Sequence, residues 1–296
     1  MSYIASPATR SYASDKGVDL EALAAATGRE TLAREDVDRH LAGGATAAPS
    51  GADHSRYWAV DHSQYGPVTE EPLTRMARVA SDNLAAANAN IPQVTHHDRA
   101  DMRRIEAFRK ELKAEGQARG VKLTALAFQV KALARCLAEF PRFNASLDAK
   151  GETLILKHFF HIGIAVDTPH GLMVPVLRDV DRKGLWAIAA EITDLATRAQ
   201  ARKVKPDEMG GASMSISNLG GIGGTAFTPI VNPPELAILG LTRTELVPVW
   251  DGQAWQPVPM LPLDLSYDHR VVNGADAARF LARYAALLAD PRRLLI

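Results

Sequence analysis

The segment with the clearest chemical potential is Ser-Tyr-Asp-His-Arg-Val-Val-Asn-Gly at residues 266–274. A strand-like run precedes it and a helical run follows, so its histidine stands at a strand-to-helix junction. His269 lies between Asp268 and Arg270 and suits a general base, because charged neighbours can fix the backbone and the tautomer of an imidazole. The structural alternative is an Asp–Arg pair with Asn273 as the N-cap of the helix. The residues alone leave both interpretations open.

Two other patterns invite chemistry but favour structural roles. The glycine-rich run at 218–224 lacks the lysine of a phosphate loop and the complete dinucleotide-binding pattern, so turns or close packing are favoured. His158 and His161 lie in a strand-like segment, where their side chains point to opposite faces. No carboxylate cluster accompanies them or the histidines at 96–97, so surface, cleft or core positions are predicted and no metal is expected.

The elements that must position these residues alternate between helix and strand. Helices are predicted over 70–88, 101–116, 123–140, 184–203 and 274–290. Strands are predicted within 143–149, 152–168, 171–180, 212–219, 235–241, 244–250 and 260–268. This order indicates an α/β or α+β class with a large sheet.

The N-terminal part has a different composition. Residues 5–42 predict two small helices, one running from Pro7 to Gly17 and one starting at Thr31. Residues 43–55 are rich in Gly, Ala, Pro and Ser without apolar periodicity, which is typical of a linker. The predicted domains are therefore 5–42, a linker at 43–55 and a body at 56–296.

Composition and charge restrict the partners. The 296 residues carry 34 basic and 34 acidic side chains, so charge does not recruit nucleic acid or an anionic membrane. The single cysteine, Cys136, excludes an intrachain disulfide and a cysteine zinc site. No apolar run reaches about 18 residues and the N-terminus lacks an apolar signal core. A cytoplasmic location is expected.

Four segments, in order, resemble the dihydrolipoyl acyltransferase cores of 2-oxo acid dehydrogenase complexes. The resemblance covers residues 56–296, and its wording is most similar to the bacterial pyruvate branch. The segments are LTRMARVASDNLAAANANIPQVTHHDRADM at 73–102, HIGIAVDTPHGLMVPVLRDVD at 161–181, SISNLGGIGGTAFTPIVNPPE at 215–235 and DHRVVNG at 268–274.

The resemblance implies a chloramphenicol acetyltransferase-like mixed sheet with flanking helices, preceded by a small helical domain. It implies transfer of an acyl group, expected to be acetyl, from S-acyl-dihydrolipoyl to coenzyme A. His269 would be the base, Ser217 a hydrogen-bond donor to the oxyanion and Asn273 an orienting group, with Asp268 and Arg270 beside them. The rival interpretations are a non-catalytic core subunit and a small-molecule acetyltransferase of the same fold.

The same resemblance implies partners. A homotrimer would place the site between subunits, and eight trimers would form a 24-mer joined by an apolar knob at Leu294, Leu295 and Ile296. The lipoyl group would arrive in trans on a lipoyl domain. Residues 5–42 resemble a peripheral subunit-binding domain, which would dock the 2-oxo acid dehydrogenase and dihydrolipoamide dehydrogenase subunits. Five basic against seven acidic residues give this segment a net charge of −2, so we expect weak docking.

Overall fold

The computed structural model of the chain describes residues 4–27, 31–41, 58–169 and 171–294. The chain divides into two compact units, residues 1–71 and residues 72–296. This division falls later than residue 56, where the acyltransferase core is predicted to begin. The predicted linker at 43–55 lies outside the described residues.

The described residues within 4–41 contain three α-helices rather than the two predicted for this segment. Its elements are β1 (Ile4–Ala5), α1 (Pro7–Asp15), α2 (Leu20–Thr27), β2 (Thr31–Leu32) and α3 (Arg34–Leu41). The unpredicted helix α2 begins where the Asp19 carboxylate accepts the amide of Glu21, 2.8 Å away. Residues 31–32 pair with β1 instead of starting a helix, which delays α3 to Arg34. The core of this unit consists of small and aliphatic side chains, namely Ala13, Leu20, Leu23, Ala24, Leu32 and Val37.

The second unit alternates helices and strands as the sequence predicts. Its helices are α4 (Arg75–Asn90), α5 (Arg103–Glu111), α6 (Lys113–Ala118), α7 (Ala125–Glu139), α8 (Leu185–Gln200) and α9 (Gly274–Ala289). Its strands are β3 (Gln93–Asp101), β4 (Ala145–Leu147), β5 (Leu154–Leu156), β6 (Ile162–Ala165), β7 (Val176–Leu177), β8 (Met214–Asn218), β9 (Ala237–Leu241), β10 (Glu245–Trp250) and β11 (Trp255–Asp268).

Seven of these strands form one mixed sheet. Its order is β10-β11-β9-β8-β6-β7, and β3 pairs with β11. The pairs β6–β8 and β8–β9 are parallel, while β9–β11, β3–β11, β10–β11 and β6–β7 are antiparallel. Strands β4 and β5 form a separate hairpin. The predicted mixed sheet with flanking helices is confirmed.

The two faces of the sheet differ in character, as the long strand β11 shows. Leu263, Leu265 and Tyr267 belong to the large apolar core, which also includes side chains of α7 and α9. Asp264 and Ser266 alternate with them, so they point to the opposite face, and both are buried. Burial of a row of polar groups on one face of a sheet costs folding free energy unless each group has a hydrogen-bond partner. We therefore expect this face to carry functional groups.

Two local predictions were wrong. Residues 93–101 form a strand, β3, which the predicted elements omit because it carries His, Asp and Arg rather than β-branched apolar residues. The helix predicted over 101–116 is split into α5 and α6 at Leu112. Gly116 lies inside α6 rather than ending a helix. A Cβ there would stand 2.8 Å from the carbonyl oxygen of Val121, so the packing requires glycine.

Candidate active site

The turn after β11 is held by the charged pair that the sequence places around the histidine. Asp268 is 1% exposed, and its Oδ2 accepts a hydrogen bond of 2.6 Å from Nη2 of Arg270. The backbone amide and Nε of Arg270 add bonds of 3.0 Å to Oδ1. The hydrogen bonds to the Asp268 carboxylate raise the pKa of Arg270 above its ordinary value. The Asp268 carbonyl also accepts the amides of Val271 and Val272, so the turn is rigid.

His269 projects from this rigid turn with an exposed ring. Its amide donates to the Pro92 carbonyl at 3.1 Å, which ties the turn to the start of β3. Its ring lies tilted against that of Tyr267, with centroids 5.8 Å apart. Both Asp268 oxygens are engaged by Arg270, and the ring nitrogens of His269 have no hydrogen-bond partner among the described residues. The flanking charges therefore fix the backbone of His269 but not its tautomer.

Asn273 occupies the N-cap position of α9 with extended backbone angles, φ −88° and ψ 156°. Its carbonyl accepts the amides of Asp276 and Ala277, both at 3.0 Å. The structural alternative is correct in the N-cap position alone, because the Asn273 side chain makes no capping hydrogen bond. The side chain is exposed four residues after His269, so it is available to a ligand or another subunit.

Ser217 lies near the carboxyl end of β8 and is half-buried. It pairs in register with Ala165 of β6 and Gly240 of β9. Its hydroxyl has no hydrogen-bond partner within the part of the chain that the structure describes. A half-buried hydroxyl held on a central strand, with its hydrogen free to donate, suits the stabilisation of a developing oxyanion.

The fold does not bring Ser217 and His269 together within one chain. Ser217 shares a cross-strand row with Gly240, which in turn pairs with Asp264 on β11. His269 lies five residues beyond Asp264. Two strand spacings of about 4.8 Å and five residues at about 3.4 Å separate the two backbone positions by about 20 Å. A site that uses both residues therefore requires two copies of the chain.

A polar pair that the sequence analysis missed lies in the same cross-strand row. Nδ1 of His97 on β3 is 2.6 Å from Oδ1 of Asp264 on β11. The residues are direct cross-strand partners, and Asp264 is 1% exposed. The alternation of Leu and Asp or Ser along β11 indicates a polar face, but the partner could not be found because β3 was not predicted.

A third buried carboxylate, that of Glu235, lies beside Ser215 of β8. Burial raises the pKa of Glu235 to about 7, and hydrogen bonds from Ser215 and Asn232 oppose the shift only in part. The Ser215 hydroxyl donates to Oε1 at 2.9 Å, whereas Oε2 has no hydrogen-bond partner among the described residues. Lys157 lies near enough to lower the pKa of Glu235 electrostatically, but its ammonium donates to the carbonyl of Ala212 at 3.0 Å.

The histidines considered for a metal site are dispersed. Nδ1 of His161 accepts the amide of Asp179 at 3.0 Å, and His158 lies exposed. No group of three or more His, Cys, Asp or Glu in residues 4–27, 31–41, 58–169 and 171–294 could hold a metal ion. In the same residues, no helix combines the length and hydropathy that a membrane crossing requires.

Comparison with known proteins places this geometry in a family. The family described as 2-oxoacid dehydrogenases acyltransferase (catalytic domain) matches residues 65–296. The dihydrolipoyllysine-residue acetyltransferase component of pyruvate dehydrogenase complex from Pseudomonas aeruginosa is 49% identical over 99% of this chain and 55% of its own length. The Azotobacter vinelandii component is 48% identical over 99% of this chain and 47% of its own length. The chain thus spans about half the length of these curated relatives.

Two solved structures are closely similar to most of the chain. The cubic core of a pyruvate dehydrogenase multienzyme complex is 53% identical, with a TM-score of 0.79, over 80% of this chain and 98% of that one. Azotobacter vinelandii dihydrolipoamide acetyltransferase is 52% identical with the same TM-score and the same coverage. The family match, the identity and the shared architecture agree, and the chain belongs to the 2-oxoacid dehydrogenase acyltransferase family, whose catalytic domain it contains.

Proposed function

We propose that the chain is an acetyltransferase core of a pyruvate dehydrogenase complex and moves an acetyl group from S-acetyl-dihydrolipoyl to coenzyme A. One observation carries the proposal. The study of the Azotobacter vinelandii enzyme concerned the catalytic role of a serine, a histidine 52 residues later and an asparagine four residues after that. Ser217, His269 and Asn273 have the same two spacings in this chain.

His269 serves as the general base in this proposal. The thiol of coenzyme A resembles that of cysteine, with a pKa of roughly 8.5, so it is mostly protonated at neutral pH. The imidazole removes the thiol proton while the sulfur attacks the thioester carbonyl. The sulfur–carbon bond forms, the carbonyl becomes a tetrahedral oxyanion, and its collapse expels the dihydrolipoyl thiolate, which takes up the proton. Acyl transfer is direct, so Ser217 is no nucleophile.

Ser217 and Asn273 assist without exchanging protons. The Ser217 hydroxyl donates a hydrogen bond to the oxyanion, an interaction worth about 10²–10³ in rate for a single donor. Asn273 stands on the same rigid turn-to-helix unit as His269, with its amide uncommitted to the helix. It can therefore orient the imidazole or the thiol. Asp268 and Arg270 hold the turn and take no direct part.

Such a site assembles from two copies of the chain. The separation of about 20 Å between Ser217 and His269, from strand spacings, supports a site that is shared between subunits. The exposed apolar side chains of α4 agree with a missing partner, because Ala87 is its one buried residue among sixteen. Val79 and Leu84 on this helix are 53% and 46% exposed. A trimer, in which each neighbour completes one site, accounts for both features.

The test is acyl transfer from chemically acylated dihydrolipoamide to coenzyme A. We expect acetyl to be preferred over succinyl and branched acyl groups. His269→Ala should lower turnover by about 10²–10⁴-fold without loss of assembly. His158→Ala, which alters an exposed histidine elsewhere, is the matched control and should retain activity. Near-normal turnover of His269→Ala would show that another group is the base.

We also propose that trimers assemble further into a 24-mer, as the cubic core of the related complex suggests. The expected knob requires one correction, because Leu294 is 8% exposed and packs in its own core. Leu295 and Ile296 lie outside the described residues and remain the proposed knob. A pocket of about 650 Å³ between α5, α6 and the segment that follows α6 could receive them, with Leu112, Val121 and Leu123 in its lining.

Deletion of Leu295 and Ile296 should therefore release soluble, active trimers. Burial of each apolar side chain is worth about 1.5–3 kcal/mol, and the contact repeats around a closed shell. Light scattering on the intact and shortened chains measures the particle mass. Leu294→Ala is a useful contrast, since it should lower stability without selective loss of the larger particle. A large particle that persists after the deletion would contradict the knob.

A further inference from the structure

A carboxylate–imidazole pair connects β3 and β11 on the face of the sheet that carries Ser217. Asp264 is buried at 1% exposure, while the His97 side chain is 49% exposed. Nδ1 of His97 lies 2.6 Å from Oδ1 of Asp264, so the carboxylate accepts and Nδ1 carries the proton. Nε2 has no hydrogen-bond partner among the described residues. The pair has no role in the reaction proposed above.

The second oxygen of Asp264 reaches a different part of the chain. Oδ2 accepts the backbone amide of Phe227 at 3.2 Å. Four residues later, the amide of Val231 donates to Oε1 of Gln93 at 2.7 Å. The segment 219–231, which directly follows β8 and Ser217, is thus held to the polar face by side chains of β11 and β3. The Asp264 carboxylate is the junction between His97 and this segment.

The hydrogen bond between Asp264 and the Phe227 amide affects Ser217 because the Phe227 ring lies between Asp264 and Ser217. Gly240 lies between Ser217 and Asp264 in the cross-strand register. The Phe227 ring occupies the space above it, because a Cβ on Gly240 would come within 2.7 Å of that ring. The ring therefore borders the strand position next to Ser217. Any shift of Phe227 that follows loss of its amide bond would change the surroundings of the serine hydroxyl.

We propose that His97 and Asp264 are positioning residues that fix segment 219–231, and with it the Phe227 ring, beside Ser217. His97 acts through Nδ1, which orients the Asp264 carboxylate so that Oδ2 faces the Phe227 amide. The role in acyl transfer rests on the proposed function. We call the attachment of segment 219–231 through His97, Asp264 and the Phe227 amide the clamp. The existence of the clamp can be tested independently of the proposed function.

Two replacements of the half-exposed His97 separate the possible roles. His97→Asn places an amide donor near the position of Nδ1, so it should preserve the clamp. His97→Leu removes the donor. We expect amide hydrogen exchange in segment 219–231 to rise about tenfold in His97→Leu and to stay near wild type in His97→Asn. We expect kcat to fall about three- to tenfold in His97→Leu, with KM for coenzyme A unchanged, and to recover in His97→Asn.

Thr95→Val is the matched control. The hydroxyls of Thr95 and Ser266 bond at 2.7 Å, so this change also removes a side-chain bond between β3 and β11 on the same face. Neither hydroxyl has a hydrogen bond to segment 219–231 among the described residues, so the change should alter neither the exchange of that segment nor kcat. Equal effects of Thr95→Val and His97→Leu on exchange and kcat would show that the His97–Asp264 pair acts only as one of several contacts between β3 and β11. That result would overturn the proposal.

The other outcomes are equally decisive. Wild-type exchange and kcat in His97→Leu would show that no clamp exists. Rescue by His97→Gln but not by His97→Asn would assign the role to Nε2 and refute positioning through Nδ1. Increased exchange with unchanged kcat would refute the connection to Ser217. Lack of acyl transfer by the unaltered chain would contradict the proposed function, whereas the exchange comparison would still decide whether the clamp exists.

Discussion

At the level of single residues, the properties of a buried carboxyl group depend on the hydrogen-bond partners that surround it. Asp264, Asp268 and Glu235 are all nearly inaccessible, yet each meets a different environment. Asp268 has a guanidinium and Asp264 an imidazole and an amide, whereas one oxygen of Glu235 lacks a partner among the described residues. A buried carboxyl without full hydrogen bonding favours its protonated form. Glu235 is therefore the residue at which pH should affect stability.

We predict that Glu235 destabilises the protein as pH rises. Its pKa is raised to about 7 in the folded state, above the ordinary value of 4.5. Its stabilising contribution is complete below about pH 4.5 and is lost as pH rises to about 7, a change on the order of 3 kcal/mol. Glu235→Gln should remove this loss and raise the unfolding temperature at pH 8 by several degrees. Thermal unfolding at pH 5 to 8 measures the difference.

The exposed Glu152→Gln is the control for this prediction, because it removes a carboxylate without altering a buried site. Its pH dependence should match that of the unaltered chain. If Glu235→Gln and the unaltered chain show parallel stability curves, Glu235 does not titrate between these pH values.

At the level of the elements, the basic side chains of the small N-terminal unit make contacts within that unit. Nε of Arg10 donates to the Ala5 carbonyl at 3.1 Å. The Arg34 guanidinium lies 4.6 Å from the centroid of the Tyr12 ring, and the Lys16 ammonium lies 5.9 Å from it. Every Arg or Lys side chain that the structure describes within 5–42 thus contacts its own unit. The segment 5–42 also has a net charge of −2, so its charge complementarity toward an acidic partner is small.

We predict that the chain binds its 2-oxo acid dehydrogenase and dihydrolipoamide dehydrogenase subunits with Kd of about 1 μM or weaker. Calorimetry on the complete chain with each subunit measures this value. Glu21→Lys, on the exposed side of α2, should tighten binding at low salt if basic charge is the missing component. Glu152→Lys adds the same charge to the second unit and should not. A nanomolar Kd for the unaltered chain would contradict weak docking.

At the scale of the whole molecule, the proposed joint action of Ser217 and His269 requires an assembly of subunits. The His269 turn and the Ser217 strand end lie about 20 Å apart by strand spacing, which is far beyond hydrogen-bond reach. Each trimer would place three such pairs across its interfaces. A monomer would then be inactive however stable it is. In that arrangement, activity would depend on assembly.

Subunit mixing tests this arrangement. Ser217→Ala and His269→Ala chains, each nearly inactive alone, should regain about a quarter of wild-type activity when co-assembled at equal amounts, because that fraction of interfaces receives both intact residues. His269→Ala with Asn273→Ala is the control. Both residues stand on one turn of the same subunit, so this pair should show no rescue. Lack of rescue in the first mixture would place the complete site within one chain.

The sequence by itself determined the elements with strong periodicity and the local chemistry of one turn. Helices α7, α8 and α9 follow from apolar spacing, and the Asp268–Arg270 neighbourhood of His269 follows from adjacency in the chain. Only the tertiary structure decided contacts between distant segments, because pairing and register depend on the whole sheet rather than on local propensity. Strand β3 was missed for this reason, and with it the His97–Asp264 pair. The same sheet register separates Ser217 from His269, which no spacing along the chain could reveal.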